Sequence, residues 1–238
     1  IGVRLVGSEM CIRDRNNMLF ENSQDSFEMN IAPDITRVGI KMSGGTDSTI
    51  VAYMVAKYCK QERPDITIYP ITGISEEKAY QAIFAKQVVQ KIEQLLDYKF
   101  GPHSTAMCRS DENYVADQDT LVADTYKKYD LQMHFAGITA NPTAEEAPEL
   151  VDPTEFDSAW YNDRQKQETK LAYVWGPSTR PLINIDKKGV REHYVTQGVL
   201  EELFPLTRSC ETHTTDFSEH CGECWFCKER FWGFGRYV

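Results

Sequence analysis

Six residues, Ser43-Gly44-Gly45-Thr46-Asp47-Ser48, constrain this chain more than any other stretch. Before them, Ile35 to Met42 is short, rich in β-branched residues and runs straight into the glycine pair, as a strand entering a tight turn does. After them, Ser48 to Lys60 sets Ile50, Val51, Met54 and Val55 on one helical face. Glycines let a backbone approach where a Cβ would block it. The N–H groups that open the following helix, with its dipole, then favour a phosphate or pyrophosphate group. Ser43 and Ser48 add hydroxyl donors. Asp47 would repel bare phosphate, and its presence fits a carboxylate that holds Mg²⁺ against phosphate oxygens. A P-loop needs a lysine after its last glycine, and none stands here. The plainer alternative is a Gly-Gly turn whose Asp and Ser cap a helix.

The remaining pattern alternates. Asp65 to Ile71 predicts a second strand with Pro70 near its end, where a missing donor is tolerated. Ser75-Glu76-Glu77 opens a helical pattern to about Leu96, with Ala82, Phe84, Val88, Val89, Ile92 and Leu95 as apolar positions. Further expectations are a short strand over Asp97 to Phe100, a helix over Asp117 to Lys128 and a strand over Leu131 to Ile138. One helix is expected over Gly189 to Leu203. Strands alternating with helices of this length imply crossover units and a largely parallel sheet flanked by helices. Asn141 to Arg180, with Pro142, Pro148, Pro153 and Pro177, breaks the rhythm and predicts a long insertion with only short helices, of the kind that forms lids or substrate loops or is simply mobile.

The chain divides into a leader at 1–17, an α/β domain at 18–205 and a cysteine-bearing tail at 206–238 packed on it. Glu9 to Arg15 resembles the translated end of a transposon adapter used in sequencing libraries. Ile1 to about Arg15 is therefore expected not to be native, with Met18 as the first candidate start, and Cys11 is set aside with it. Asn16 to Asp34 is polar and weakly patterned, an arm or edge segment.

Of seven cysteines, Cys59 and Cys108 are isolated, whereas Cys210, Cys221, Cys224 and Cys227 crowd the C-terminus. Cys-x2-Cys spacing lets both sulfurs reach one ion, and Zn²⁺ takes a closed tetrahedron of such ligands in a reducing compartment. His213 and His220 are substitute ligands, and disulfides or a redox pair are the competing explanations. Closing the tail on zinc would contribute on the order of 10 kcal/mol to local folding. Trp225, Phe226, Phe231, Trp232, Phe234 and Tyr237 are expected to pack the tail onto the main domain. Lys and Arg total 26 against 36 for Asp and Glu, a formal net charge of −10. That balance argues against a protein built to grip a nucleic-acid backbone, as do Glu219, Glu223 and Glu229 around the cysteines. No stretch approaches the roughly 20 apolar residues of a membrane helix, and the expected location is cytoplasmic.

The Ser-Gly-Gly-Thr-Asp-Ser loop resembles the PP-loop of ATP pyrophosphatases, which cleave ATP to AMP and pyrophosphate to activate a carbonyl or carboxylate. Together with Arg208-Ser209-Cys210, Cys221-Gly222-Glu223-Cys224, Cys227, Arg230 and Gly233-Phe234, it resembles the 7-cyano-7-deazaguanine synthases of the queuosine pathway. Pro181-Leu182-Ile183 followed by Lys187 resembles that family's penultimate segment. The middle departs from it: Tyr69-Pro70-Ile71-Thr72 stands in place of a Tyr-Gly-Gln-Arg-His-like stretch, and Gly137 to Pro142 in place of an acidic segment. The resemblance implies an adenine nucleotide alpha-hydrolase-like fold with a small zinc subdomain. It implies ATP, Mg²⁺ and Zn²⁺ as cofactors, with ATP at Ser43 to Ser48 and zinc at the four tail cysteines. It further implies Asp47 and Lys187 as catalytic residues, a small-molecule carboxylate and ammonia as substrates, and leaves a homodimer open. Two rival readings are PP-loop sulfur transfer or sulfonucleotide reduction, which would need a reactive thiol such as Cys108 beside Arg109, and a non-catalytic zinc-stapled nucleotide-binding module.

Overall fold

The computed structural model describes residues 17–75, 80–109, 112–143, 145–148, 150, 164, 174–175, 177–210 and 219–238. The expected leader 1–15, most of the 141–180 insertion and His213 lie outside them. Among the described residues, six strands form one sheet: β3 (Arg37–Lys41), β4 (Thr67–Ser75), β5 (Ser104–Cys108), β6 (Met133–Ala136), β7 (Val174–Trp175) and β8 (Ser178–Thr179). Their order is β5-β4-β3-β6-β8-β7, parallel except for β7 against β8. Helices α1 (Thr46–Glu62), α2 (Tyr80–Leu96) and α3 (Tyr114–Tyr129) supply the crossovers between β3, β4, β5 and β6. Right-handed crossovers put α1 and α2 together on one face and α3 against β4 and β5 on the other. The expected fold class, a parallel sheet flanked by helices with a C-terminal four-cysteine unit, is the one observed.

The chain runs outward from β3 to β5, then returns to β6 on β3's other side. That reversal opens a crevice at the carboxyl ends of β3 and β6, the usual ligand position in open α/β sheets. Lys41 and Ala136 are paired at the last rung, so both strands stop together and the Ser43 loop faces Gly137 across the gap. Helix α1 departs from the one-faced pattern expected of it. Residues Ile50 to Ala56 are all buried, because α2, β6, the N-terminal segment and a later helix surround it.

Three other expectations are corrected. Asp97 to Phe100 is no strand; β5 starts at Ser104, and Asp97 adopts a left-handed φ of 47° that ends α2. Pro70 sits inside β4 rather than near its end. Thr67 donates to Thr36 and Ile71 accepts from Met42, so these alternate residues face β3 and Pro70 faces the β5 side. Pairing with β5 begins only at Ile71, and no ladder bond is lost. The helix expected over Gly189 to Leu203 is two, α4 (Lys187–Thr196) and α5 (Leu200–Leu203), broken where Gly198 takes φ 69°. A 3₁₀ turn (Phe204–Leu206) follows, and α6 (Trp225–Phe234) closes the tail.

Asn16 to Asp34 contains an antiparallel hairpin, β1 (Met18–Glu21) and β2 (Ser26–Met29). Its turn grips α4. Asn22 donates to the Gly189 carbonyl (3.1 Å), Ser23 Oγ to Glu192 (2.7 Å) and Gln24 Nε2 to Asp186 (2.8 Å). Asp186 in turn caps α4 by accepting from the N–H groups of Lys188 and Gly189. The start of α4, whose first residue is Lys187, is thereby fixed by the hairpin and by its own cap.

Candidate phosphate and metal sites

Gly45, not Asp47 or Ser48, is the N-cap of α1, and no side-chain cap bond is formed there. The plain capped-turn reading therefore does not describe this loop. Ser48 Oγ accepts from Ser43 N–H (3.2 Å) and donates to the Gly45 carbonyl (3.3 Å), and Ser43 Oγ accepts from Gly45 N–H (3.3 Å). These bonds curl the loop and leave the first turn of α1 pointing into the crevice, where helix N–H groups have no intrahelical acceptor. Gly44 makes the curl with φ 76°, and a Cβ there would lie 2.7 Å from Phe84 Cβ.

The loop lines a cleft of roughly 150 Å³ with Tyr80, Gln81, Arg164, Lys187, Arg208 and Glu229. A second arm of roughly 170 Å³ shares Ser43, Gln81 and Gly137 and runs along the strand ends past Lys41, Gln118 and Tyr114. The Asp47 carboxylate accepts from Thr46 Oγ1 (3.0 Å), Thr139 Oγ1 (3.3 Å) and the Lys187 ammonium. Asp47 and Lys187, 140 residues apart in sequence, are thus in direct contact. Thr139 belongs to the Gly137 to Pro142 segment that departs from the family pattern, and it also accepts from Arg164 (3.0 Å).

Glu229 and Arg208 are among the contributors not assigned from sequence. Glu229 was counted among acidic surroundings of the cysteines, but it is fully buried, with an oxygen 3.5 Å from Lys187 Nζ. Burial raises its pKa, opposed by Lys187 and Arg164. Nothing in its sequence neighbourhood signals this place; only the packing of α6 on α4 brings it there. Arg208, also buried, donates its backbone N–H to the Gly44 carbonyl (2.8 Å), tying the tail to the loop, and lies over the rings of Tyr80 and Phe84.

The sulfurs of Cys210, Cys221, Cys224 and Cys227 lie within 4.8 Å of one another. Cys221 and Cys227 are 3.8 Å apart. One tetrahedral ion with Zn–S bonds of about 2.3 Å needs sulfurs about 3.8 Å apart, so the donor set fits a single ion. A four-iron cluster, with one thiolate outside each corner of a cube, would spread them farther. His220 is engaged elsewhere: its Nε2 accepts from Ser209 N–H (3.4 Å) and its ring stacks on Tyr237. Arg230 closes the tail by donating to Tyr237 O (2.8 Å), Thr207 Oγ1 (2.9 Å), Ser209 Oγ (3.1 Å) and Phe204 O (3.1 Å). Of the tail aromatics, Phe234 enters the core and stacks on Phe204 (4.3 Å), Trp232 carries the Lys188 ammonium, Phe226 lines the cleft, and Phe231 stays half exposed.

Cys108 lies at the end of β5 and is buried. Burial, then Asp117, raises its pKa, while the Arg109 guanidinium pairs with Asp117 (2.7 Å). It has the character of a core thiol. No helix among the described residues is long and apolar enough to cross a membrane.

Fold and sites together define an α/β protein with a glycine-rich loop at the sheet's switch point and a four-thiol tail tied to that loop. No protein-family model matches the chain, and no curated protein matches it. Among solved structures it is similar to the U34-tRNA thiolase NcsA from Methanococcus maripaludis with its [4Fe-4S] cluster. The identity is 14%, the TM-score 0.45, and the match covers 77% of this chain and 62% of that one. The chain therefore spans less than two thirds of that protein's length.

Proposed function

We propose that this protein is a PP-loop ATP-dependent carbon–nitrogen ligase that adenylates a small-molecule carboxylate, releasing pyrophosphate, for capture by ammonia. The observation that carries this reading is the convergence of the uncapped α1 N-terminus, Asp47, Lys187 and Arg208 on one cleft. Loop N–H groups and the two cations would cradle the β- and γ-phosphates, and the second arm, with Lys41, Gln81 and Gln118, offers polar groups for the nucleoside. Mg²⁺ at Asp47 would neutralise phosphate oxygens, and the carboxylate's existing pairing with an ammonium supports a position suited to a cation. The substrate carboxylate attacks the α-phosphate, pyrophosphate leaves, and ammonia displaces AMP to give an amide. A second adenylation converts the amide to a nitrile. The tail motifs favour 7-carboxy-7-deazaguanine as substrate and its 7-cyano derivative as product. Zinc at the four cysteines would hold the tail, and so Arg208 and Glu229, against the loop.

Incubation with ATP, Mg²⁺, ammonia and 7-carboxy-7-deazaguanine should yield AMP and nitrile. AMP without nitrile would keep the adenylating class and reject this acid; no AMP under any of these conditions would leave a binding module. In the ligase, Cys108→Ser should retain activity, whereas a sulfur transferase depending on that thiol should lose it.

A further inference from the structure

Lys187 is an ammonium between two carboxylates of unequal access. Asp47, on the loop side, keeps 17% of its side chain exposed and faces the cleft. Glu229, on the tail side, has none exposed. Neither Glu229 oxygen has a hydrogen-bond partner among the described residues, and the Lys187 ammonium at 3.5 Å is its ion-pair partner. A carboxylate so enclosed is costly unless a cation stays beside it. The seat itself is tight. Helix α6 meets α4 at Gly233, where a Cβ would lie 2.3 Å from Lys187 Cβ, so the lysine stem cannot drift toward the tail.

We propose that Glu229 is a positioning residue that retains Lys187 at the cleft when Asp47 is handed to a divalent cation. This rests on the reading of the cleft as a Mg²⁺–nucleotide site and adds to it the device that empties Asp47. A cation entering from the cleft competes with Lys187 for Asp47, the accessible partner. Glu229 lines the same cleft but has no exposed side-chain area to offer it. The displaced ammonium therefore keeps one fixed counterion and turns toward the phosphates instead of leaving with Asp47 or blocking it. The two carboxylates are not duplicates: one binds what enters, and the other holds what is displaced.

The test is the Mg²⁺ concentration that half-saturates binding of a ribose-labelled fluorescent ATP, measured at equilibrium without turnover. Without the Glu229 charge, Lys187 has only Asp47 to pair with and competes harder against Mg²⁺. Glu229→Gln should raise the Mg²⁺ midpoint about tenfold, while Glu229→Asp, which keeps the charge one methylene farther back, should raise it less. Glu229→Gln introduced into Lys187→Met should leave the midpoint where Lys187→Met alone sets it, because the effect runs through the lysine. If Lys187→Met fails to fold, the graded order of wild type, Asp and Gln at 229 decides in its place. An unchanged midpoint in Glu229→Gln, or an equal shift with Lys187 absent, overturns the inference while leaving the nucleotide site standing. Wild-type protein that binds no nucleotide at any Mg²⁺ concentration overturns both.

Discussion

Gly233 shows how one missing methyl group sets the chemistry of a cleft. Its α-carbon faces the stem of Lys187, and a Cβ would fall 2.3 Å from Lys187 Cβ and 2.9 Å from its carbonyl carbon. Those are atoms of a helix start, not the free end of a side chain, so the clash must move α4 against α6. Gly233→Ala is expected to destabilise the protein by about 1–3 kcal/mol, the usual range for overpacking. It should also reduce AMP formation more than the stability loss explains, because the displaced residue is Lys187 itself. Circular dichroism melts with AMP assays on the folded fraction check both parts. Removing the Lys187 charge by Lys187→Met should cost roughly 10²–10³ in turnover, as loss of a preorganised charge-stabilising group does.

Between elements, the tail is held by one arginine. Arg230 is fully buried, spends its guanidinium on four acceptors spread from Phe204 to Tyr237, and lies 4.0 Å from the Phe204 ring centre. A methionine would fill much of the space but strand those acceptors. Arg230→Met should therefore lower stability by about 3 kcal/mol, read as a shift in urea midpoint at unchanged slope. The hairpin turn grips the N-terminal half of α4, the part the tail also meets, through Asn22, Ser23 and Gln24. Helix α4 is thus clamped by the N-terminal hairpin and by the C-terminal tail, segments from opposite ends of the chain that have no reason in local sequence to meet.

For the molecule as a whole, the four-thiol centre and two histidines, His134 buried and His103 half-buried, set conditions on stability. Metal removal by a strong chelator should lower the melting temperature and loosen the tail, with nucleotide affinity falling as Arg208 and Glu229 lose their places; zinc should restore both. His103 and His134 are each pushed from 6.5 down to about 4, chiefly by burial, with Lys86 adding at His103 and Lys41 and Arg180 at His134. Both stay neutral in the fold, His103 beside Thr72 Oγ1 and His134 beside the Tyr126 hydroxyl. The unfolded chain takes up protons first as pH falls. Stability is therefore full above about pH 6.5 and declines between there and about pH 4. Melting temperatures from about pH 7.5 to about pH 4.5 should show the decline, and His134→Gln should flatten it.

Strand β3, the loop and α1 were legible because their signals are local: β-branched residues, a glycine pair and a helical apolar face follow one another without interruption. The four cysteines were legible as a set for the same reason, since their spacing alone lets their sulfurs converge. Short strands and helix breaks were read less well. β5 was placed too early, and Gly198 was not read as a stop, because a few residues carry little periodicity and pairing partners decide the outcome. Lys187 could be named from its surroundings in sequence, but not its contact with Asp47. Glu229 looked like one more acidic residue in an acidic tail, and only the packing of α6 on α4 turned it inward to face that lysine. Local backbone preference, carried by neighbours in sequence, determined the glycine-rich loop and the thiol set. Long-range packing, which alone decides which charges lose their water and which other charge each then meets, decided the rest of the site.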